Sequence, residues 1–442
     1  MSASIAAAAP VYLDWNATTP VCAEAMAEML DAMQHAWANP SSTHAPGQAA
    51  RRVLADARLR VASFLGARPA ELVFTSGATE ANHLAVLGAL ASASGRGGIE
   101  GMHGLAAAHG AAGRVRRRLV LSAVEHPGLL ALADRLAAEG TPVHRVPVDR
   151  EGRLDLAAAR ASIDSDVALV SLMGANNETG VCMPLAEVAA LAHAQGALLH
   201  VDATQLAGKA QLSFAASGAD LMSVSAHKIG GPKGVGALLV RKGVAITPLI
   251  AGRQERHRRG GTENLPGIAG FAAACERTAA TLERDMAAMA ALRHRLEQGL
   301  AAALPAVRVL GAGANRLPNT SCLSFGTLAA ELVLARLERA GIVASSGAAC
   351  SAGGTQPSHV LLAMGLDEAE ARSGVRFSLG RDTSAADIER TVAAATAALA
   401  PLLRADANAT VAPSAANAAG QANAPSAATA AAAVAEAAAM PA

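Results

Sequence analysis

The chain has 442 residues, which is too long for one small domain and predicts two domains with appended segments. Hydrophobic residues make up 52% of it and aromatic residues only 2%, so alanine and leucine must fill the core, which favours helix-rich layers over an all-β sandwich. The net charge of +1 argues against a surface that binds nucleic acid or a membrane.

The first part of the chain contains helices and a strand that ends in a turn of small residues. We expect a flexible leader at residues 1–10, which lack the basic segment of a signal peptide, and helices at residues 23–36 and 49–64. A strand at residues 72–74 enters the small-residue turn at 75–79 and leaves as a helix. Such a turn directs backbone N–H groups at one point and suits a phosphate, although by itself the segment is better explained as an ordinary turn.

The middle of the chain alternates apolar strands with helices. Residues 91–117 are rich in Gly and Ala and predict a mobile surface insertion; His103 and His109 as metal ligands are the less favoured alternative. Strands are then predicted at residues 119–122, 142–148, 167–173, 197–203 and 221–225. Continuous apolar strands separated by helices indicate a parallel sheet that is covered on both faces.

From residue 264 the pattern changes to longer helices and fewer strands. One helix is predicted over residues 269–303, and the last helix over residues 385–403. Between them we expect strands at residues 307–310, 321–325, 342–344 and 375–379, with a helix at residues 329–340. This predicts a large domain at residues 11–263 and a smaller α/β domain at residues 264–404.

The cysteines and the C-terminus indicate the compartment. Five cysteines are scattered without a C-x-x-C pair, which argues against a disulfide framework or a closed zinc site and favours a reducing compartment. Residues 405–442 are low in complexity and carry Asn, Gln and Pro, so we expect a disordered tail and no membrane span. The expected location is cytoplasmic.

The residues from His200 to Gly236 carry the main chemical signal. Asp202 closes one predicted strand and Lys228 follows the next, so both lie where open α/β sheets place their ligands. A carboxylate and a lysine there suit pyridoxal 5'-phosphate (PLP), whose aldehyde bonds to a lysine and whose ring nitrogen takes an acidic partner. Taken alone, an Asp and a Lys at this spacing are more often a solvated pair.

Other polar residues also follow predicted strand ends, so that one cleft can collect them. Donors suited to a phosphate are Ala78, Thr79, Ser225 and His227. Asn177 and Gln205 are neutral donors suited to a phenolic oxygen, and His126 is placed to stack on a flat ring. A lone histidine at such a position more often bonds only to backbone groups.

The chain resembles the cysteine desulfurases, which are class V, fold-type I PLP enzymes. Ten motifs occur in that family's order, namely YLDWNATTP, NPSSTH, FTSGATE, EHP, NNETG, HVDATQ, SAHKIGGPKGVGAL, RRGGTEN, SSGAACSAG and VRFSLGR. The similarity extends over residues 12–403 and is best to the NifS-type branch, with the housekeeping IscS-type branch a near neighbour. It implies a large domain with a mostly parallel seven-stranded sheet and a smaller C-terminal α/β domain.

The resemblance implies a role for each matching cofactor residue. Lys228 matches the Schiff-base lysine and Asp202 the partner of the ring nitrogen. Gln205 resembles the residue that bonds the ring oxygen, and Asn177 lies near the ring and the substrate. The matching phosphate ligands are Ala78, Thr79, Ser225 and His227. Thr262 matches a threonine that reaches the phosphate of a neighbouring subunit, which implies a homodimer.

The resemblance also implies the reaction. His126 matches the stacked catalytic histidine, Arg376 the clamp for the substrate carboxylate, and Cys350 the nucleophile. L-cysteine is then converted to L-alanine and leaves its sulfur as a persulfide on Cys350, which can transiently bind an iron–sulfur cluster; no structural metal is expected. A scaffold or other acceptor protein takes the sulfur for iron–sulfur cluster assembly, nitrogenase included.

Two alternatives stay open, and four positions depart from the family pattern. Another fold-type I PLP enzyme, such as an aminotransferase or selenocysteine lyase, keeps Lys228 and Asp202 without needing Cys350; a non-catalytic assembly scaffold needs none of them. Trp15 stands where the family has a smaller polar residue. Ala251, Arg253 and His257 replace glycines, so the loop that carries Thr262 is expected to sit differently.

Overall fold

The computed structural model describes residues 9–94, 115–347 and 356–411, with side chains as far as Arg404. The strands are β1 (Val11–Tyr12), β2 (Leu72–Thr75), β3 (Arg118–Ser122), β4 (Val143–Val146), β5 (Val167–Met173), β6 (Leu198–Asp202), β7 (Leu221–Ser225), β8 (Gly236–Val240), β9 (Val307–Leu310), β10 (Thr320–Phe325), β11 (Ile342–Val343), β12 (Ser345–Ser346) and β13 (Gly374–Ser378). The helices are α1 (Ala23–His35), α2 (Ala45–Phe64), α3 (Ala78–Ala93), α4 (Pro127–Ala138), α5 (Leu156–Ser162), α6 (Leu185–Ala194), α7 (Leu265–Ala303), α8 (Ala330–Arg339), α9 (His359–Ala363), α10 (Glu368–Arg372) and α11 (Ala385–Val411).

Seven strands form the predicted, mostly parallel sheet in the order β2-β8-β7-β6-β5-β3-β4. All neighbouring pairs are parallel except those of β8, which runs antiparallel to β2 and to β7. The sequence did not predict β8 as a strand. It returns directly from β7 through a glycine-rich loop rather than through a crossover helix, and a direct return produces antiparallel pairing.

Alternate side chains of the sheet enter two different cores. Val73, Leu121 and Leu238 belong to a core that also contains Leu84 of α3 and Leu129 of α4. Their strand neighbours point to the opposite face, in a core that also holds α2 and α7 side chains; they include Phe74, Val120 and Leu239. Both faces are therefore covered, as the continuous apolar strands predict.

Two helices begin four residues before the predicted positions. α2 starts at Ala45 because the His44 side chain accepts a hydrogen bond from the Gly47 N–H at 3.2 Å. α7 starts at Leu265 because Asn264 accepts one from the Gly267 N–H at 3.3 Å. Each first turn contains Pro and Gly, residues that indicate a loop by composition but are tolerated at the start of a capped helix.

A second, antiparallel sheet has the order β12-β13-β10-β9, and the start of the chain joins this region. β1 pairs in parallel with β11, and Val11 and Leu13 enter a core with Phe325 and Phe377. The strand predicted at residues 342–344 is the short β11, which pairs with β1, and the sequence did not predict β12, which follows it and pairs with β13. α7 packs against α1 and α2 and also against β9 and β10, and the proposed domain boundary at its start stays a prediction.

Several predicted segments lie outside the described residues. They are most of the leader, most of the 91–117 insertion with His103 and His109, Cys350 with its loop, and residues 412–442. In the described ranges we find no helix that is long and apolar enough to cross a membrane. No cluster of side chains suited to hold a metal ion occurs there either.

Candidate active site

A cleft of about 710 Å³ lies at the carboxyl edge of the seven-stranded sheet. This volume is in the range of sites for small molecules and cofactors. Of the twelve candidate site residues, ten line it, namely Ala78, Thr79, His126, Asn177, Asp202, Gln205, Ser225, His227, Lys228 and Arg376. Thr262 is exposed outside this lining, and Cys350 lies outside the described residues.

The N-terminus of α3 forms one end of the cleft. Gly77 is its N-cap and supplies no side-chain cap, so the first-turn N–H groups of Ala78 and Thr79 face an anion site. The Cβ position that Gly77 leaves empty lies 3.9 Å from the Ser225 hydroxyl oxygen, so a small cradle separates helix and hydroxyl. Uncapped N–H groups facing a hydroxyl fit the phosphate of PLP.

His227 borders the same end of the cleft. Its Nδ1 lies 3.1 Å from the Thr18 hydroxyl oxygen. Burial, followed by the positive charges of Lys228, Lys233 and Lys209, lowers the pKa of His227 to about 4. The imidazole is therefore neutral near pH 7 and serves as a hydrogen-bonding group.

Asp202 is fixed at the end of β6. Its Oδ2 accepts a hydrogen bond from Asn82 Nδ2 at 2.7 Å, and its Oδ1 accepts one from the Thr204 N–H at 3.0 Å. Residue Asp202 is only 7% exposed. A buried carboxylate held in one orientation suits a protonated ring nitrogen.

The ring of His126 lies at the start of α4. Its Nδ1 accepts a hydrogen bond from the Gly128 N–H at 3.1 Å and caps the helix. Burial lowers the pKa of His126; the Asp202 charge opposes this effect and the Lys228 charge adds to it. Because Nδ1 accepts, the neutral ring carries its proton on Nε2 in this hydrogen-bond network.

Lys228 follows β7 in a short 3-10 turn. Its Nζ donates to the carbonyl oxygens of Asn16 at 2.6 Å and Ala17 at 2.8 Å. The N-terminal segment therefore borders the cleft beside the lysine. Asn16 belongs to the motif YLDWNATTP, which carried the resemblance, but sequence reasoning gave that residue no role.

Arg376 reaches the cleft from β13 of the second sheet. Its Nη2 donates to Asp14 Oδ1 at 2.6 Å and its Nη1 to the Asn177 carbonyl oxygen at 3.1 Å. Its buried Nε has no hydrogen-bond partner within residues 9–94, 115–347 and 356–411. The guanidinium is therefore not saturated with hydrogen-bond partners in this arrangement.

Besides Asn16, sequence reasoning missed Asp14, Glu80 and Asn82, which line the cleft, and Glu125, which precedes His126 in the chain. Asn82 was detectable, since it lies three residues after Thr79 and so on the same face of α3. Glu125 Oε1 accepts from the Ser122 hydroxyl at 2.5 Å and from the Met173 N–H at 2.9 Å. Burial raises the pKa of Glu125 to about 8, so it is largely a neutral acid at pH 7.

The chain that leads to Cys350 leaves from the cleft. Gly347 lines the cleft, and a Cβ there would overlap the carboxylate of buried Glu178. The Ser358 hydroxyl donates to Glu178 Oε2 at 2.6 Å. Residues on both sides of the 348–355 segment therefore contact one side chain.

The loop that carries Thr262 has an unusual backbone. Glu255, Arg256 and His257 have φ angles of 46°, 56° and 63°, in the left-handed region that favours glycine. His257 replaces a glycine of the family pattern, so a residue with a Cβ adopts a backbone conformation here that glycine adopts more easily. The Arg259–Glu80 ion pair at 2.9 Å joins this loop to α3.

The cysteines in the described ranges pack against the core, as predicted. Cys275 and Cys322 are fully buried, and Cys22 and Cys182 are partly buried against the main core. Burial raises the pKa of Cys182 to about 11 and that of Cys322 to about 12. Since the thiolate is the nucleophile, these two thiols are poorly suited to react.

Known proteins resemble this chain over most of its length. The family model described as Aminotransferase class-V matches residues 11–391. A cysteine desulfurase of Cereibacter sphaeroides is 48% identical over 383 residues, covering 86% of this chain and 93% of the relative. The cysteine desulfurase NifS of Azotobacter vinelandii is 41% identical over 386 residues, covering 87% and 91%. The solved structure of a NifS-like protein has a TM-score of 0.78 and 33% identity, covering 88% of this chain and 99% of that one.

Proposed function

Because this chain belongs to the class-V aminotransferase family and is a PLP-dependent cysteine desulfurase, we propose that the cleft between Asp202, Lys228 and Arg376 is where it removes sulfur from L-cysteine. The observation that carries this proposal is the joint presence of these three groups in one cleft, together with His126. They come from two sheets and are up to 174 residues apart in the chain (376 − 202).

Some residues of the cleft hold the cofactor, and others transfer protons. When bound, PLP withdraws electrons from the α-carbon of the substrate. Asp202 would hold the ring nitrogen in its protonated form, and Ala78, Thr79, Ser225 and His227 would hold the phosphate. Lys228 would hold the cofactor through its aldehyde, and its amine would carry a proton to and from the substrate α-carbon.

Two other residues act on the substrate. Arg376 binds its carboxylate through the planar guanidinium, for which Asp14 is the present partner. His126, neutral and protonated on Nε2, lies on the cleft with that nitrogen available for proton exchange. Proton transfer by a positioned side chain contributes about 10²–10⁴-fold in rate.

Cys350 is the proposed sulfur acceptor. It comes three residues after Gly347, which lines the cleft. Its thiolate attacks the substrate sulfur, the carbon–sulfur bond breaks, and the electron pair stays with the carbon skeleton that leaves as alanine after protonation. The sulfur remains as a persulfide.

The destination of the sulfur is a further proposal. We infer that the persulfide supplies iron–sulfur cluster assembly through an acceptor protein, and the NifS-type motifs favour a link to nitrogenase over a housekeeping duty. A homodimer in which Thr262 reaches the phosphate of the other subunit accounts for the exposure of that residue. The cytoplasmic location and the division into two domains also stay predictions.

The test measures alanine and sulfide together when the purified, PLP-loaded protein is incubated with L-cysteine and a reducing thiol, which reduces the persulfide and releases its outer sulfur as sulfide. Wild type should form both in equal amounts. Lys228→Ala should lose the covalent cofactor link and about 10²–10⁴-fold of the rate. Cys350→Ala should stop sulfide release, whereas Cys22→Ala serves as the matched control and should keep it.

Each alternative has its own outcome in the same test. If Cys350→Ala releases sulfide at the wild-type rate, the persulfide mechanism is wrong and a lyase that does not need Cys350, such as a selenocysteine lyase, is favoured; amino-group transfer without sulfide release would favour an aminotransferase. A protein that stays colourless with added PLP indicates a non-catalytic scaffold.

A further inference from the structure

Lys209 is a buried amine with no role in the proposed reaction. It lies in the turns that follow β6 and is only 5% exposed. Its Nζ donates to Asn16 Oδ1 at 2.9 Å and, in a short contact, to Gln205 Oε1. No carboxylate of the described chain forms an ion pair with it. Burying an amine without a carboxylate costs stability, so its hydrogen bonds must hold something in place.

The polarity of the surrounding network is fixed on the Asn16 side. Asn319 Nδ2 donates to the Leu379 carbonyl oxygen at 3.0 Å, while its Oδ1 accepts from the Thr320 hydroxyl at 2.9 Å. This orients the Asn319 amide, whose Nδ2 also donates to Asn16 Oδ1 at 3.1 Å. Asn16 therefore presents an acceptor oxygen to Lys209, which has only donors to offer when charged.

The same amine fixes the orientation of Gln205. Because Lys209 occupies Gln205 Oε1, Gln205 Nε2 faces the Asn16 carbonyl oxygen at 3.1 Å. An amide nitrogen has two hydrogens, so one remains for a group in the cleft, which Gln205 lines. Lys209 is not among the residues that line the cleft and contacts it through Gln205.

The arrangement does not depend on the charge of the amine. Burial lowers the pKa of Lys209 well below its usual value, and the charges of Lys228 and Arg376 lower it further. A neutral amine still has two hydrogens, which is enough for its two acceptor oxygens.

We propose that Lys209 is a positioning residue that locks the Gln205 amide with Nε2 toward the cleft, so that the ring oxygen of PLP meets a donor. This rests on the proposed function, since it assumes PLP in the cleft. Without the amine, Gln205 Oε1 loses its donor and only the Asn16 carbonyl oxygen holds the amide through Nε2, so the donor that faces the ring oxygen is fixed less firmly.

A double-mutant cycle on PLP binding to the full-length protein tests this. The dissociation constant and the absorption band of bound PLP are measured after cofactor removal and reloading, for wild type, Lys209→Met, Gln205→Leu and the double variant. Loss of one hydrogen bond predicts about 5–10-fold weaker binding in each single variant, and a band shifted in the same direction. The double variant should bind no more weakly than Gln205→Leu.

Lys242→Met is the matched control, because Lys242 is exposed in the turn after β8; it should leave both readouts unchanged. A Lys209→Met effect of the same size with and without Gln205 shows a merely structural role and overturns the proposal. If Lys209→Met does not fold, Lys209→Gln fills most of the volume, and its loss of affinity must again depend on Gln205. A wild-type protein that binds no PLP overturns the proposed function and this inference together, whereas normal binding with an additive cycle overturns only the inference.

Discussion

The seven-stranded and the four-stranded sheets both present polar side chains to the cleft, but they hold them differently. At the first sheet, Asp202 and Glu125 are buried and held by amide, hydroxyl and backbone donors. At the second, Arg376 is held by the Asp14 carboxylate, which the N-terminal segment brings to β13. Asp202 and Glu125 thus have neutral hydrogen-bond partners, whereas the partner of Arg376 is a charged carboxylate.

The difference suits what each side has to bind. Hydrogen bonds from fixed neutral donors keep a group in one orientation during many reaction cycles, as a resident cofactor requires. An ion pair at a cleft can exchange its carboxylate for that of an incoming substrate, because the two carboxylates offer the guanidinium the same bonds. Arg376 on the second sheet is therefore suited to bind and release the substrate carboxylate in each reaction cycle.

The largest expected effect comes from breaking the ion pair. Arg376→Gln should raise KM for L-cysteine about 10–100-fold, since a hydrogen bond to a charged group contributes about 1.5–3 kcal/mol. Steady-state kinetics at saturating PLP checks this. Arg372→Gln is the control, because that side chain is half exposed in its pair with Glu368 and should leave KM unchanged. An unchanged KM in Arg376→Gln would place the substrate carboxylate elsewhere.

The junction of the N-terminal segment with the second sheet should be intolerant of added volume. A Cβ at Gly380 would overlap the indole ring of Trp15, the residue that departs from the family pattern. Gly380→Ala should lower the free energy of unfolding by about 1–3 kcal/mol, as overpacking does. Urea unfolding measures this. In a Trp15→Ala background, Gly380→Ala should lower the free energy of unfolding only slightly. An equal loss of stability in both backgrounds would contradict the contact between residues 380 and 15.

The side of the cleft formed by the seven-stranded sheet should show a distinct dependence on pH. The folded pKa of Glu125 is raised to about 8, so from pH 4.5 upward the folded state binds more protons than the unfolded state, and stability falls as pH rises. His200 and His227, whose pKa values are lowered to about 4, act in the opposite sense, but only below the usual histidine pKa of about 6.5.

The interval from about pH 6.5 to 8 excludes the histidine contribution, and comparing wild type with Glu125→Gln in that interval separates Glu125 from Lys209, whose pKa is also shifted. In it, the free energy of unfolding of wild type should fall by about 1–2 kcal/mol because of this group, and that fall should be absent in Glu125→Gln. Urea unfolding at each pH compares the two proteins. The same slope in both would mean that Glu125 is ionised in the folded state.

The smallest expected effect concerns the loop that carries Thr262. His257→Gly should raise the free energy of unfolding by about 0.5–1 kcal/mol, because glycine relieves the left-handed backbone at a small cost in chain entropy. Arg253→Gly is the matched control: Arg253 also replaces a family glycine but is not in the left-handed region, so it should not gain stability. A higher free energy of unfolding in both variants would indicate that the substitutions do not act through the left-handed backbone of the folded loop.

Local sequence patterns predicted most elements and nine of the cleft-lining residues, and the family resemblance supplied the tenth, Arg376. The strands are continuous apolar runs, and the polar site residues follow the ends of those runs. The pattern that predicts a strand and the residue that predicts the site therefore lie close together in the sequence. The predictions were wrong about the starts of α2 and α7, where capping side chains overcame Pro and Gly. They also missed β8 and β12, because strand partners distant in sequence decide those pairings.

The sequence by itself determined the type of cofactor site, because Asp202, Lys228 and the turn before α3 each lie within a few residues of the end of a strand. That position can be recognised from the neighbouring residues alone. The tertiary structure decided which groups those residues contact. Asn16 and Asp14 reach the cleft because β1 pairs with β11, and Lys209 meets Gln205 and Asn16 only once the turns after β6 are buried. Hydrogen bonds between residues about 190 or more positions apart leave no periodic signal in the chain, so only the folded arrangement shows them.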